Sequence, residues 1–263
     1  MTSSAPAIAV NNVSKTLRVP TRRVDTLRER LVAGMRPRTR PLEVLRDITF
    51  EVQPGEFFGI AGRNGSGKST LLKLIAGIYR IDRGEIRVAG RLAPIIELGV
   101  GFNNELAAYD NVIMNAVMMG LSPAEARSRY EEIIDFAELE EFEQLQLKNY
   151  SSGMRSRLAF AIMVHVDADL LLFDEIFAVG DRVFSQKWMR TFYKLHEAGR
   201  TAILVTHSMN LLEAMCRRAF LLEGGRIHTI GTGAEVARAY EALTAQSLGS
   251  DMLPDEDEAA GPW

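Results

Sequence analysis

A chain of 263 residues, 47% hydrophobic and 25% charged, is long enough to bury a substantial core and ordinary for a globular protein. Its net charge of −3 gives no support to a nucleic-acid binder driven by overall charge, and no apolar run is long enough to cross a bilayer. Met1–Val10 lack the pattern of a secretion signal and the single cysteine, Cys216, has no partner in the chain, so a cytoplasmic, reducing setting is expected.

In chain order, residues 8–13 read as a first strand. The composition then changes between Pro20 and Pro41, where seven arginines (Arg22, Arg23, Arg28, Arg30, Arg36, Arg38 and Arg40) stand against Asp25 and Glu29. Val24, Leu27 and Leu31 fall on one side at helical spacing, which predicts a short basic amphipathic helix in residues 20–41. Such a helix suits an anionic membrane surface or a membrane partner; a solvated surface insertion fits the same pattern. Residues 49–52 alternate as a strand before the Pro54-Gly55 turn, and residues 57–60 form a short apolar run.

That run leads into Gly62-Arg63-Asn64-Gly65-Ser66-Gly67-Lys68-Ser69, which fits G-x-x-x-x-G-K-[ST] at every fixed position. Leu71, Leu72, Leu74 and Ile75 follow with apolar periodicity, so the motif lies between a strand and a helix, its required setting. Glycines let the backbone wrap around phosphates with its N–H groups inward, and the helix opening near Lys68 adds its positive dipole end. Lys68 is placed to reach the β- and γ-phosphates and the Ser69 hydroxyl to ligate Mg²⁺. A glycine-rich turn without ligand is the plain alternative. The motif predicts binding of a nucleoside triphosphate.

Asp82-Arg83-Gly84 marks a turn, with strands expected at residues 85–88 and 94–98. From 104 to 166 the pattern is helical. In it, residues 111–119 are apolar with Met114 and Met118 four apart, read as helix core in preference to a pliable docking surface. Ser122 and Pro123 open another helix as cap and first residue. Beyond 166, continuous apolar strands (170–173, 202–205, 219–222) alternate with helices (184–196, 210–216, 234–242), which implies a parallel sheet covered on both faces. From residue 246 a disordered acidic tail is expected, with Asp251, Asp255, Glu256, Asp257 and Glu258 close together.

Asp174 and Glu175 end the run Leu170-Leu171-Leu172-Phe173, and ligands of open parallel sheets bind beyond the carboxyl ends of the strands. Two acids there belong beside the phosphate loop: Asp174 in a Mg²⁺ shell, Glu175 as the general base for an attacking water. His207 follows the apolar strand Ile203-Leu204-Val205 and could hydrogen-bond the γ-phosphate, whereas His165, His196 and His228 read as structural. Tyr150-Ser151-Ser152-Gly153-Met154 opens a helical run and fits either a phosphate-binding helix end or an ordinary cap.

The order of these motifs resembles the nucleotide-binding subunit of ATP-binding cassette transporters over residues 8–242. Gly62–Ser69, with Thr70, is similar to Walker A and Asp174-Glu175 to the end of Walker B with its catalytic glutamate. Asp181 lies where that family has its D-loop, and His207 matches the switch histidine. The resemblance implies an α/β fold, a P-loop NTPase domain over residues 1–245 with a mostly parallel core sheet, an antiparallel β subdomain and an inserted helical subdomain at 104–166. It implies ATP and Mg²⁺, and a homodimer closing head to tail with Ser151, Ser152 and Gly153 of one copy over the nucleotide of the other. A polytopic membrane permease is the expected partner, with no nucleic acid.

The signature Leu-Ser-Gly-Gly-Gln is matched here only at Ser151 and Gly153. That departure, the Arg-rich insertion, and ELGVGF followed by NNEL resemble the subgroup that exports lipid-linked polysaccharides of O-antigen, capsule or teichoic acid type. Some members carry a carbohydrate-binding domain after the ATPase, which the short tail is expected not to supply. Glu97 stands where the family has a Mg²⁺-binding glutamine, and the segment Pro41-Leu42-Glu43-Val44 offers no aromatic to stack on adenine. The alternative is a non-transport ATPase of the same family, acting in DNA repair or translation, though the paired cassettes or long coiled coil usual there are missing.

Overall fold

The computed structural model describes residues 5–20, 39–95, 101–174 and 182–250. The bulk of the basic insertion (21–38), Glu97, Glu175, Asp181 and the acidic tail from 251 lie outside the described residues.

The chain begins with two long antiparallel strands, β1 (Ile8–Pro20) and β2 (Thr39–Val52). Both are longer than the apolar pattern indicates, because Thr39 to Glu43 are exposed on both faces and only the backbone ladder, running to Pro20↔Thr39, reveals the strand. Next come β3 (Phe57–Ala61), α1 (Lys68–Ile75), β4 (Arg83–Val88) and β5 (Leu92–Ile95). Strand β5 begins two residues before the expected 94. Helices α2 (Ala108–Met118), α3 (Pro123–Ser128), α4 (Tyr130–Ala137) and α5 (Ser152–His165) occupy the stretch expected to be helical. Ser122 caps α3 with Pro123 at its first position, as the sequence indicated, and Glu125 completes a reciprocal cap. Then follow β6 (Leu170–Asp174), α6 (Arg182–Glu197), β7 (Thr201–Val205), α7 (Met209–Met215), β8 (Arg218–Glu223), β9 (Arg226–Gly231) and α8 (Gly233–Ser250).

Helix α8 runs through Ser250, past the expected start of the tail at 246. Strand β9 has no counterpart in the sequence reading: it is an edge strand with alternate residues exposed, so no apolar run marks it. Met118 of α2 also departs from expectation, whereas Met114 is half-buried. The helix buries Ala108, Asn111, Val112, Asn115 and Ala116, a face that excludes Met118, which is 69% exposed.

The described strands form two sheets. The antiparallel one has the order β2-β1-β4, and the larger one β5-β6-β7-β3-β8-β9, parallel except for the β8–β9 hairpin. The larger sheet divides two cores. Phe58, Ile60, Leu170, Leu172, Ile203, Val205, Phe220 and Leu222 face α1 and the antiparallel sheet, where Phe50 stacks on Phe58 at 5.3 Å. The alternate residues Phe57, Ala61, Leu171, Phe173, Leu204 and Leu221 face the helices of the other side. There Trp188 stacks on Phe160 and Phe192 at 5.0 and 5.1 Å. A strand buried on both faces needs apolar side chains at every position, hence the continuous runs. This double burial holds the carboxyl ends of β3, β7 and β6 in a fixed row, since β7 pairs with both neighbours.

Candidate active site

The phosphate loop leaves β3 and enters α1 without a side-chain cap. Gly67 occupies the N-cap position with φ 111°, and having no side chain it makes no side-chain cap hydrogen bond to the first helical N–H groups. Those donors, with the helix dipole behind them, form an anion site. A β-carbon on Gly67 would approach Leu45 Cδ2 to 2.8 Å, and one on Gly62 would lie 2.4 Å from the Leu222 carbonyl oxygen. The loop is thus wedged against β2 and β8, and these two positions take no other residue without movement. Lys68 is 5% exposed, and its ammonium donates to the carbonyl oxygens of Gly62 at 2.7 Å and Arg63 at 3.0 Å.

Around this loop lies a cavity of about 470 Å³, lined by Asn64, Gly65, Gly67, Lys68, Ser69, Thr70, Asp174, Leu42 and Val44. Seven of these were predicted from sequence, and the sheet order brings Asp174 to them because β6 ends in the same row as β3. Leu42 and Val44 were not: they line the wall from β2, whose exposed half carried no strand signal. Their aliphatic surface stands in the segment where the resemblance leads one to seek an aromatic.

Gly62, Arg63 and Ser66 belong to the loop but not to the cavity lining. Ser66 is buried, and its hydroxyl has no hydrogen-bond partner among the described residues. His207 is exposed, two residues past the end of β7. Thr206 before it is buried, and its hydroxyl accepts from the Ser208 N–H at 3.0 Å. Ser208 in turn caps α7, accepting from the Leu211 N–H, so this turn is built by local hydrogen bonds. His165 bonds the Ala161 carbonyl and His196 packs edge-on against Phe57, so both are structural as expected.

Ser151, Ser152 and Gly153 do not line the cavity. They open α5, with both serines exposed, and the Ser151 hydroxyl accepts from the Met154 N–H at 3.2 Å as its N-cap. Tyr150 before them is buried; its hydroxyl donates to the Phe142 carbonyl at 2.8 Å, and burial, followed by the nearby Glu143 carboxylate, pushes its pKa up to about 12.

Mg²⁺ coordinates oxygen and usually keeps several waters beside one or two protein ligands. The Ser69 hydroxyl and Asp174 carboxylate, both from residues lining the cavity, fit that requirement, and among the described residues no larger cluster of acids, histidines and cysteine competes.

A glycine-rich strand–loop–helix at the carboxyl edge of a parallel sheet, with a buried lysine and an acid from a neighbouring strand, defines a P-loop nucleotide-binding protein. Residues 45–178 match the family described as ABC transporter. The chain is 39% identical over 252 residues to "O-antigen export system ATP-binding protein RfbB" of Myxococcus xanthus, covering 93% of this chain and 58% of that protein. It is 36% identical over 197 residues to "Teichoic acids export ATP-binding protein TagH" of Listeria monocytogenes, covering 75% of this chain and again 58% of the relative. The chain therefore spans little more than half the length of each. Its fold is similar to a dimeric, post-hydrolysis ATP-binding cassette bound to ADP and Pi, with TM-score 0.68 at 23% identity, over 86% of this chain and 98% of the other. The chain belongs to the ABC transporter family and has the fold of its ATP-hydrolysing cassettes.

Proposed function

We propose that the chain is the ATP-hydrolysing subunit of a membrane exporter, coupling ATP binding and hydrolysis in a head-to-tail homodimer to export of a lipid-linked polysaccharide. The observation that carries the reading is the joining of Lys68, Ser69 and Asp174 around one cavity at the edge of the parallel sheet. Lys68 and the uncapped N–H groups of α1 neutralise charge on the transferring phosphoryl group. Ser69 and Asp174 would hold Mg²⁺, which supplies further neutralisation on the phosphates when bound; Glu97 joins that set as a sequence-based proposal. Glu175 takes the proton of the attacking water and His207 bonds the γ-phosphate.

The second half of the site comes from the other copy. Ser151 and Ser152 are exposed, Gly153 is half-buried, and none of the three lines the cavity of its own chain, which suits a surface that meets the nucleotide of a partner copy, with Asp181 proposed alongside. Closure then requires ATP, since the phosphates supply the charge that both halves bind. The relatives named for O-antigen and teichoic acid export favour a polysaccharide cargo over DNA repair or translation. The partner is a polytopic permease, and the chain sits at the cytoplasmic face of the inner membrane of a bacterium. The described residues contain no helix long and apolar enough to cross it. The arginine-rich residues 20–41, which in sequence join the paired strands β1 and β2, are proposed to meet that membrane or permease.

Glu175→Gln tests the chemistry: hydrolysis is abolished and an ATP-bound dimer accumulates on size exclusion, whereas sustained turnover removes Glu175 as base. Purification from mild-detergent membranes tests the setting. An equal ratio of a polytopic membrane protein supports the exporter, and a soluble partner or nucleic acid without one overturns it.

A further inference from the structure

Between the edge strand β5 and helix α2, residues 101–107 form a short strap bonded on both sides. On one side stands Asn111, 0% exposed in the first turn of α2. Its side-chain oxygen accepts from the Asn103 N–H at 2.7 Å. Its Nδ2 donates to the carbonyl oxygens of Asn103, Leu106 and Ala107 at 3.0, 3.2 and 2.9 Å. Asn115, one turn on and 4% exposed, donates to the Asn111 carbonyl at 2.9 Å. Asparagine is a poor residue for a buried helix face, and two in succession need a reason. Here the reason is the strap, whose backbone groups are satisfied by Asn111 rather than by a sheet or helix.

On its other side the strap holds the segment that leads into α5. Leu147 N–H donates to the Leu106 carbonyl at 3.0 Å and Lys148 N–H to the Asn104 carbonyl at 2.9 Å. Ala107 and Gln146 form an isolated antiparallel bridge, and the Gln146 side chain donates to the Glu105 carbonyl at 2.9 Å. Three residues past Leu147 comes Tyr150, anchored through its hydroxyl, and then Ser151. One side chain therefore fixes a strap, and the strap fixes the approach to the exposed end of α5.

We propose that Asn111 is a positioning residue for hydrolysis: through the 101–107 strap it sets where the Ser151 end of α5 stands, and so how it meets the nucleotide of the partner copy. The inference rests on the two-copy reading above. Misplacement of a group by about 1 Å costs on the order of 100-fold in rate, so the clasp need only slip slightly to be felt.

The test uses the full chain. Asn111→Ala is expected to lower kcat by about 10- to 100-fold while ATP affinity, measured without Mg²⁺, changes by less than about twofold. Cysteines at the bridged pair (Ala107→Cys with Gln146→Cys) added to that variant are expected to restore turnover when oxidised and lose it again on reduction. Cys216, being buried, does not compete. A merely structural role would lower ATP binding and turnover together and give no redox-dependent rescue. Should Asn111→Ala fail to fold, Glu105→Ala with Gln146→Ala loosens the strap from its exposed side, removing the 2.7 Å pair of the Glu105 carboxylate with the Lys148 ammonium and the Gln146 bond to the Glu105 carbonyl, with the same split at about two- to fivefold. An active wild type matched by equally active variants overturns the inference alone. So does a folded Asn111→Ala whose loss the cross-link does not relieve. A wild type without ATP-dependent turnover overturns the two-copy reading and the inference with it.

Discussion

The phosphate loop and the Ser151 turn both present a helix N-terminus, yet they are finished to different degrees. At Gly67 the helix has no side-chain cap and its lysine is buried at the wall of a cavity. At Ser151 the helix is capped by its own hydroxyl and stands exposed, anchored from behind by Tyr150. An uncapped end is a site waiting for an anion, because its N–H groups must otherwise be left to water. A capped, exposed end has its donors partly satisfied and can gain only from something brought to it. One helix end is ready for an anion as it stands, and the proposed two-copy reading gives the other its role against a second molecule.

The largest effect should come from breaking the first region. Lys68→Ala is expected to lower hydrolysis by about 1,000-fold, checked by steady-state phosphate release, with ATP binding weakened as well. Breaking the second region should separate those two quantities: Ser151→Arg is expected to lower turnover about 100-fold while a dilute chain binds ATP as before, checked by equilibrium binding. Equal losses of binding and turnover would place Ser151 with the first region instead. Smaller still is Tyr150→Phe, which removes one buried hydrogen bond and is expected to cost about 1 kcal/mol in denaturant melts. Because the folded pKa of Tyr150 is raised, that stabilisation is full below the ordinary phenol range and is lost as pH rises through about 12.

The smallest effect is a control distant from both regions. Asp82 accepts from the Lys15 ammonium and the Thr16 N–H, each at 2.7 Å, and the Lys15 hydrogen bond is the main cause of its lowered pKa. A lowered carboxylate contributes stability above its unfolded pKa and loses it as pH falls through the folded value. The pair is partly exposed, so Asp82→Asn is expected to cost less than about 1 kcal/mol at neutral pH, a difference that closes at an acid pH below the lowered pKa of Asp82. Melts at both pH values check it.

Residues 170–173 and 202–205 were legible as strands because burial on two faces leaves no room for a polar residue. Strand β9 and the first half of β2 were not, since an edge is held by backbone hydrogen bonds that any side chain permits. For the same reason Leu42 and Val44 were missed as cavity wall. The reading of residues 111–119 as helix core failed at Met118, because two apolar faces were available on α2, and polar Asn111 and Asn115 mark the one that packs, while Met114 is half-buried. No local pattern separates a buried asparagine that holds a strap from an exposed one.

What the sequence determined by itself was the phosphate loop, because its eight residues are contiguous and their conformations follow from glycine, the strand before and the helix after. The cap of α3 was likewise local. Only the tertiary structure decided that Asp174 stands with Ser69 and Lys68, through the pairing of β6 with β7 and β7 with β3. It alone decided that Ser151 is not among the residues lining its own chain's cavity and that Asn111 is tied to the strap beside it. Those placements depend on which strands lie side by side, and strand order is set by packing between elements far apart in the chain.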